Sequence, residues 1–137
     1  VGAAAIVTTT SLTQGLKSAA GRRRPNGADE ESFPSGHTAV AAVHDRLAAI
    51  NLRSIDLQPE ARRVLDAGLD AITIGTSWAR IEAGWHYPSD TLVSASLGAF
   101  FASFYNEAFL GLDRPTAPAV ALGVVPGGAS LRVNWRF

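Results

Sequence analysis

The sequence predicts an all-α helical bundle that closes with a short β-strand or hairpin. Apolar residues recur at helical spacing in four stretches of the chain, and glycines and prolines separate these stretches. The last residues alternate between apolar and polar, which is the period of a strand. Because 137 residues suit one domain, we expect a helical core over residues 1–112 and a tail over residues 113–137.

The first two predicted helices flank an exposed loop. Small apolar residues over positions 1–20 predict the first helix, and a segment rich in glycine, arginine and acidic residues over 21–32 predicts the loop. The second helix is expected to begin near Pro34 or Ser35, because apolar residues then recur at helical spacing as far as Ile50.

Prolines mark the starts of the third and fourth predicted helices. Pro59 suits a first helical turn, and a broad apolar side then continues to about Ile81. Pro88 suits the first turn of a helix that continues to about Leu110. In the tail, a turn over residues 126–128 precedes the run of alternating apolar and polar residues.

Composition limits the classes of partner. Lysine plus arginine and aspartate plus glutamate balance at 12 each, so no overall field favours nucleic acid, and we expect no nucleic-acid partner. The chain has no cysteine, which excludes disulfides and thiolate metal sites. Hydrophobic residues make up 47% and charged residues 18%, a balance typical of folded proteins rather than disordered ones.

The start of the chain leaves its processing open. Val1 is not preceded by a methionine, and no signal pattern follows, which is typical of a processed chain or an internal fragment. The core is therefore expected either as it stands or as a bundle that lacks N-terminal helices. The most apolar stretch, residues 91–110, includes several polar residues and is expected to be a buried core helix rather than a membrane span.

Three segments carry residue types that suit phosphoryl transfer, which requires positioned cations, a nucleophile and a leaving-group acid. In the first segment, Lys17 near a helix end and Arg24 on the following loop can converge on one anion. Alone, the arginine run over 22–24 is equally typical of a solvated basic patch or a targeting cluster.

The second segment, Pro34-Ser35-Gly36-His37, predicts an anion site beside a titratable group. At a helix start the amides of Ser35, Gly36 and His37 lack intrahelical partners and lie at the positive end of the dipole. His37 can donate a proton to a leaving alkoxide near neutral pH. The tetrapeptide is the most specific signal in the chain, since chance supplies it in on the order of one window in 10⁵.

The third segment comprises Arg80, His86 and Asp90. A separation of four residues places Asp90 one helical turn from His86, so its carboxylate is expected to accept a hydrogen bond from one ring nitrogen. That bond would leave the lone pair of the other nitrogen free to attack phosphorus. Arg80 would bind the phosphoryl oxygens. Seen alone, a histidine and an aspartate one turn apart are often only a surface pair.

Together and in this order, the three segments resemble the superfamily of type 2 phosphatidic acid phosphatases, bacterial nonspecific acid phosphatases and vanadium haloperoxidases. Its pattern is Lys-x6-Arg-Pro, then Pro-Ser-Gly-His, then Ser-Arg-x5-His-x3-Asp. The matching positions are Lys17, Arg24, Pro25, Pro34, Ser35, Gly36, His37, Arg80, His86 and Asp90. Ala79 stands where the third motif has serine, so a secondary hydrogen bond of the family is lost or replaced.

The resemblance implies a helical bundle of the acid phosphatase/vanadium haloperoxidase type and a metal-independent phosphatase without a cofactor. His86 would form a phosphohistidine, supported by Asp90, and His37 would protonate the leaving group and then activate water. The residues expected to bind phosphate are Lys17, Arg24, Ser35, Gly36 and Arg80.

Two alternatives stay open at this point. Vanadate can occupy the same pocket, so a vanadium-dependent haloperoxidase is the rival enzyme, although such enzymes resemble this pattern with much larger gaps than the one between Pro25 and Pro34. A non-catalytic anion-binding module of the cell envelope is the other, suggested by Ala79 and by the alternating tail.

The sequence indicates the class of substrate and the general location of the protein, but no single substrate. Membrane members of the superfamily place apolar spans between the second and third motifs, whereas charged residues interrupt this interval throughout. We expect phosphate monoesters, pyrophosphates or lipid headgroup phosphates as substrates, with peripheral membrane contact as an option. The alternating tail favours the bacterial cell envelope, periplasmic or membrane-associated. The sequence does not indicate the oligomeric state.

Overall fold

The computed structural model describes residues 1–111, 119–125 and 128–134. Its helices are α1 (Gly2–Ala20), α2 (Gly36–Leu52), α3 (Pro59–Glu82) and α4 (Pro88–Leu110). They confirm the predicted helical core. Two strands follow, β1 (Ala119–Val125) and β2 (Gly128–Asn134), paired antiparallel with Ala119 opposite Asn134. The side chains of the tail lie outside the described residues, so the predicted alternation of its faces stays a prediction.

The helix ends follow local sequence signals. Ser35 is the N-cap of α2, where its hydroxyl accepts from the N–H of Thr38 at 3.5 Å. Pro59 and Pro88 occupy first turns, where the missing proline N–H costs no hydrogen bond. Gly21 ends α1 with a φ of 52°, in the left-handed region that glycine adopts readily.

The core consists mainly of small residues between α1, α2 and α4. Ala5, Val43 and Ala102 form its buried apolar cluster. At Gly98 a Cβ atom would lie 2.3 Å from the carbonyl oxygen of Ala39, so the α2 and α4 backbones approach closely there. This close contact fixes the start of α4 relative to the start of α2, and both starts border the candidate site.

Helices α1 and α2 run antiparallel. A Cβ added at Gly2 would lie 3.5 Å from Leu47 Cδ1, and one added at Gly36 would lie 3.8 Å from Thr13 Cγ2. The start of α1 therefore faces the end of α2, and the second half of α1 faces the start of α2. This direction decides which side chains extend the candidate site away from its charged end.

Helix α3 turns its polar side to the bundle and its apolar side outward. Thr73 donates to Asp45 at 2.9 Å, and Arg62 donates to the carbonyl oxygen of Leu52 at 2.8 Å. No residue of α3 is buried. Its exposed apolar residues are Val64, Leu65, Ile72, Ile74 and Trp78. The broad apolar side predicted for this helix exists, but these hydrogen bonds to α2 hold the opposite side inward.

Residues 91–110, expected to form a buried core helix rather than a membrane span, lie in α4, which is helical but only partly buried. Its exposed large apolar residues include Leu92, Phe100, Phe104, Phe109 and Leu110. Within the part of the chain that the structure describes, no helix is both long enough and apolar enough to cross a membrane.

Candidate active site

Six of the eight predicted site residues line one cavity of about 370 Å³, which makes it the candidate active site. Its walls come from α1, the loop after α1, the start of α2, the end of α3 and the loop before α4. The lining residues are Thr10, Gln14, Lys17, Arg24, Gly36, His37, Val40, Arg80 and His86. A larger cavity of about 730 Å³, between α2, α3 and α4, contains none of the predicted residues.

His86 is the most buried residue of this cavity, with 2% of its surface exposed. Its Nδ1 lies 2.5 Å from the carbonyl oxygen of Ser32. Because a carbonyl oxygen only accepts, Nδ1 carries the proton and donates it to Ser32. Nε2 then carries no proton, and its lone pair accepts a long hydrogen bond, at 3.5 Å, from a guanidinium N–H of Arg24. The ring is therefore fixed in the tautomer that a nucleophile requires.

Three cations surround His86. Lys17 is 8% exposed, and its Nζ donates to the carbonyl oxygen of Glu31 at 2.5 Å, which leaves two of its three N–H donors. Arg24 is held by Asp29 through its Nε at 2.5 Å. Burial lowers the pKa of Lys17 below its ordinary value, and the neighbouring charge of Arg24 lowers it further. The positive charges of Lys17 and Arg24 lie close together, and they therefore favour the binding of an anion between them.

Arg80 supplies the third cation and an unused donor. Its guanidinium and that of Arg24 both lie over the ring of Trp85, at 5.3 Å and 5.0 Å from the ring centre. The Nε of Arg80 is buried and has no hydrogen-bond partner among the residues that the structure describes. A buried guanidinium N–H without a partner is costly, so an anion in the cavity would satisfy it.

The pKa of His86 is lowered from 6.5 to about 4. Burial is the largest cause, because it disfavours the charged ring. The hydrogen bond to Ser32 acts in the opposite direction, and the charges of Lys17, Arg24 and Arg80 lower the pKa further. His86 is therefore neutral at any pH well above 4, with its lone pair available.

The expected hydrogen bond from His86 to Asp90 is not formed, which corrects the sequence prediction. The two side chains are 3.9 Å apart at their nearest atoms. Asp90 is fully buried and instead accepts from Arg22 at 2.6 Å, from the Ser32 hydroxyl at 2.5 Å and from the backbone N–H of Tyr87 at 2.9 Å. Asp90 thus holds the peptide that orients His86 and does not touch the ring through a hydrogen bond.

Ser35 is the second correction. Its N–H donates to the hydroxyl of Ser94 at 2.6 Å, and its own hydroxyl caps α2, so its amide is not available to an anion. Ser35 is fully buried and does not line the cavity. Gly36 and His37 do line it, and His37 is exposed. The anion site expected at this helix start therefore includes Gly36 and His37 but not Ser35.

Sequence reasoning missed three supporting residues, namely Arg22, Ser32 and Trp85. Arg22 and Ser32 engage Asp90, while Trp85 lies under two guanidinium groups and accepts from Arg24 through its carbonyl oxygen at 3.2 Å. Nothing in the sequence separates Arg22 from the two arginines that follow it. Such contacts depend on how the loop over 21–35 folds back on α4.

Among residues 1–111 and the two described strands, no group of three or more His, Asp and Glu residues is placed to hold a metal ion.

Comparison with known proteins gives one match. The family model described as PAP2 superfamily matches residues 2–113, which confirms the resemblance seen in the three motifs. Neither the curated proteins nor the solved structures gave a significant match.

Proposed function

This chain belongs to the PAP2 superfamily, which generally comprises phosphatases, and from this premise we propose that it hydrolyses phosphate esters through a phosphohistidine at His86. The substrates proposed are phosphate monoesters, or the phosphates of lipid and pyrophosphate headgroups. One observation carries the proposal: the buried, neutral His86 presents an unprotonated Nε2 among Lys17, Arg24 and Arg80, with just a long hydrogen bond from Arg24 on it.

The first step joins His86 to phosphorus. The three cations hold the phosphoryl oxygens, and Nε2 attacks phosphorus opposite the ester oxygen. The N–P bond forms as the P–O ester bond breaks. His37, in its protonated form, gives its proton to the departing alkoxide, which leaves as the free alcohol. The cations neutralise the charge that develops on the equatorial oxygens.

The second step releases phosphate. His37, now neutral, removes a proton from water, and the resulting hydroxide attacks phosphorus as the N–P bond breaks. His86 returns to its neutral form with Nδ1 still bound to Ser32. Inorganic phosphate leaves, and His37 is again protonated. No step of this scheme requires a metal or a cofactor, and vanadate is proposed to occupy the phosphate position.

Location and partners belong to the same proposal. We place the protein in the bacterial cell envelope, with a phosphorylated small molecule or lipid headgroup as its partner and no nucleic-acid partner. The alternating sequence of the tail supports the proposed location. The local, rather than overall, positive charge around His86 supports a phosphorylated partner that is not nucleic acid.

The decisive experiment traps the intermediate. With 4-nitrophenyl phosphate and a chelator present, the protein should release phosphate, and vanadate should inhibit competitively. Rapid quenching with ³²P-labelled substrate should label His86. The His86→Ala variant should lose about three orders of magnitude in kcat or more, as removal of a nucleophile does elsewhere.

A matched control is available on α2. His44 is exposed and lies outside the cavity, so His44→Ala should keep its activity while His37→Ala loses it. Full activity in His86→Ala would overturn the mechanism. Bromination of a dye by the vanadate-loaded protein with peroxide, without phosphate release, would favour the haloperoxidase instead. Phosphate binding without turnover would favour a non-catalytic module.

A further inference from the structure

We infer that Gln14, Thr10 and Val40 bind the leaving group, and that the preferred substrate is the phosphate monoester of a small, uncharged, hydroxyl-bearing alcohol. This inference rests on the proposed function, because it assigns the part of the cavity that the phosphate does not fill.

The positions of these residues follow from the helix directions. On α1, Gln14 and Thr10 lie three and seven residues before Lys17, about 4.5 Å and 10.5 Å along the axis and on nearly the same face. On α2, Val40 lies one turn beyond His37. Because α1 and α2 are antiparallel, both walls extend away from the charged end in the same direction.

His37 lines the cavity at the start of α2, where Gly36 faces Thr13 of α1, so it lies near Gln14. Lys17, Arg24, Arg80 and His86 form the charged end. A leaving alkoxide that takes its proton from His37 therefore departs toward Gln14, Thr10 and Val40.

The chemistry of this second end is neutral. Apart from the four residues of the charged end, Gly36 and His37, the cavity-lining residues that the structure describes are one amide, one hydroxyl and one small apolar side chain. The Gln14 amide can donate to and accept from a hydroxyl, as can Thr10, while Val40 offers contact for carbon atoms. A volume of about 370 Å³ for the whole cavity suits a small leaving group.

The uncharged side chains of Gln14, Thr10 and Val40 also disfavour a second phosphate in the leaving group. In a pyrophosphate the leaving group is itself an anion, and the side chains of Gln14, Thr10 and Val40 offer it no positive charge beyond the proton that His37 donates. An alcohol hydroxyl, by contrast, finds both a donor and an acceptor. The cavity thus favours a monoester over a pyrophosphate, although both present the same phosphate to His86.

A matched substrate pair tests the hydroxyl contact. 2-Hydroxyethyl phosphate and ethyl phosphate differ by one hydroxyl on the leaving group. The unchanged protein should favour the first in kcat/KM by about threefold to tenfold, the contribution of one neutral hydrogen bond. Gln14→Leu, which keeps the size and removes the amide, should bring this ratio close to one.

A charge insertion tests the neutrality. Gln14→Lys should raise kcat/KM for pyrophosphate relative to ethyl phosphate by about threefold, because it supplies a cation to the second phosphate. Ser11→Lys is the matched control, since Ser11 is exposed on the same helix and does not line the cavity. It adds the same charge and should leave the ratio unchanged.

The outcomes separate this inference from the function on which it rests. If the unchanged protein releases no phosphate from 4-nitrophenyl phosphate, the proposed function fails. If it is active but Gln14→Leu keeps the hydroxyl preference, or the two lysine variants change the pyrophosphate ratio equally, the leaving-group assignment alone is wrong. A preference of the unchanged protein for pyrophosphate over both alcohol esters would also overturn it.

Discussion

The orientation of His86 depends on a peptide group, and that peptide depends on Asp90. The carbonyl oxygen of Ser32 accepts the Nδ1 proton of His86, and the hydroxyl of the same serine donates to Asp90. Arg22 completes the arrangement from the loop, since it binds Asp90 through its side chain and accepts the N–H of Ser32 through its carbonyl oxygen. Asp90 therefore acts on His86 indirectly.

Removal of the Ser32 hydroxyl should loosen this arrangement. We expect Ser32→Ala to lower kcat roughly tenfold, because small displacements of a nucleophile are costly, while KM changes little since Lys17, Arg24 and Arg80 are untouched. Steady-state kinetics with 4-nitrophenyl phosphate would measure both. Ser54→Ala is a suitable control, as the Ser54 hydroxyl is exposed and donates only locally, to Asn51. An equal loss in both variants would contradict the positioning role.

The lowered pKa of His86 gives a second prediction at this scale. The ring should titrate with a midpoint of about 4 in the folded protein, measured by NMR of labelled histidine and assigned with His86→Gln. Between pH 4 and 6.5 the unfolded chain binds the proton that the folded chain rejects, so the contribution of His86 to stability is complete above pH 6.5 and declines as the pH falls toward 4. A midpoint near 6.5 would show that the burial and the three charges do not act on the ring.

At the scale of elements, the close contact between α2 and α4 requires glycine at position 98, which has a hydrogen atom where other residues have a Cβ. A methyl group at Gly98 would meet the backbone of Ala39 at 2.3 Å, and a backbone cannot move aside as a flexible side chain can. We expect Gly98→Ala to lower the free energy of unfolding by about 1–3 kcal/mol, the usual cost of overpacking. Urea denaturation would measure the change.

Gly75 provides the matched control for Gly98. It lies within α3, and nothing lies within 4 Å of a Cβ added there. Gly75→Ala should therefore stabilise the protein by roughly 0.5–1 kcal/mol, since alanine is the better helix former. If both substitutions stabilised equally, the close approach of α2 and α4 would be refuted.

The helices were predictable because their ends have local causes. Pro59 and Pro88 begin α3 and α4, and Ser35 caps α2, all from signals within a few residues. The direction in which α3 faces was not predictable, because it is fixed by polar contacts across the bundle such as Thr73 with Asp45. Periodicity identifies an apolar side but not what that side contacts.

For the candidate site, the sequence predicted which residues come together but not all of their contacts. That residues such as His86 and Arg80 line one cavity was predictable from their types and spacing. The roles of Ser35 and Asp90 were not, since each depends on a partner far along the chain, Ser94 in one case and Ser32 in the other.

At the scale of the whole molecule, an outward apolar side on α3 is one departure from an ordinary bundle, beside the exposed apolar residues of α4. Ile74 is 67% exposed there. We expect Ile74→Lys to change the free energy of unfolding by less than about 0.5 kcal/mol, the usual range for an exposed position. Chemical denaturation would measure it, with Val43→Ala in the buried core as the sensitive comparison. A loss above about 2 kcal/mol at Ile74 would show that this side is covered in the folded protein.

The outward apolar side of α3 also has a calorimetric consequence. Most of the heat-capacity change of unfolding comes from apolar surface that water reaches for the first time. Water already reaches the α3 side in the folded chain, so unfolding should add less than the roughly 1.6–2.1 kcal/mol/K usual for a chain of 137 residues. A small heat-capacity change flattens the curve of stability against temperature. The protein should therefore lose little of its stability on cooling, because the term that drives cold denaturation is weak.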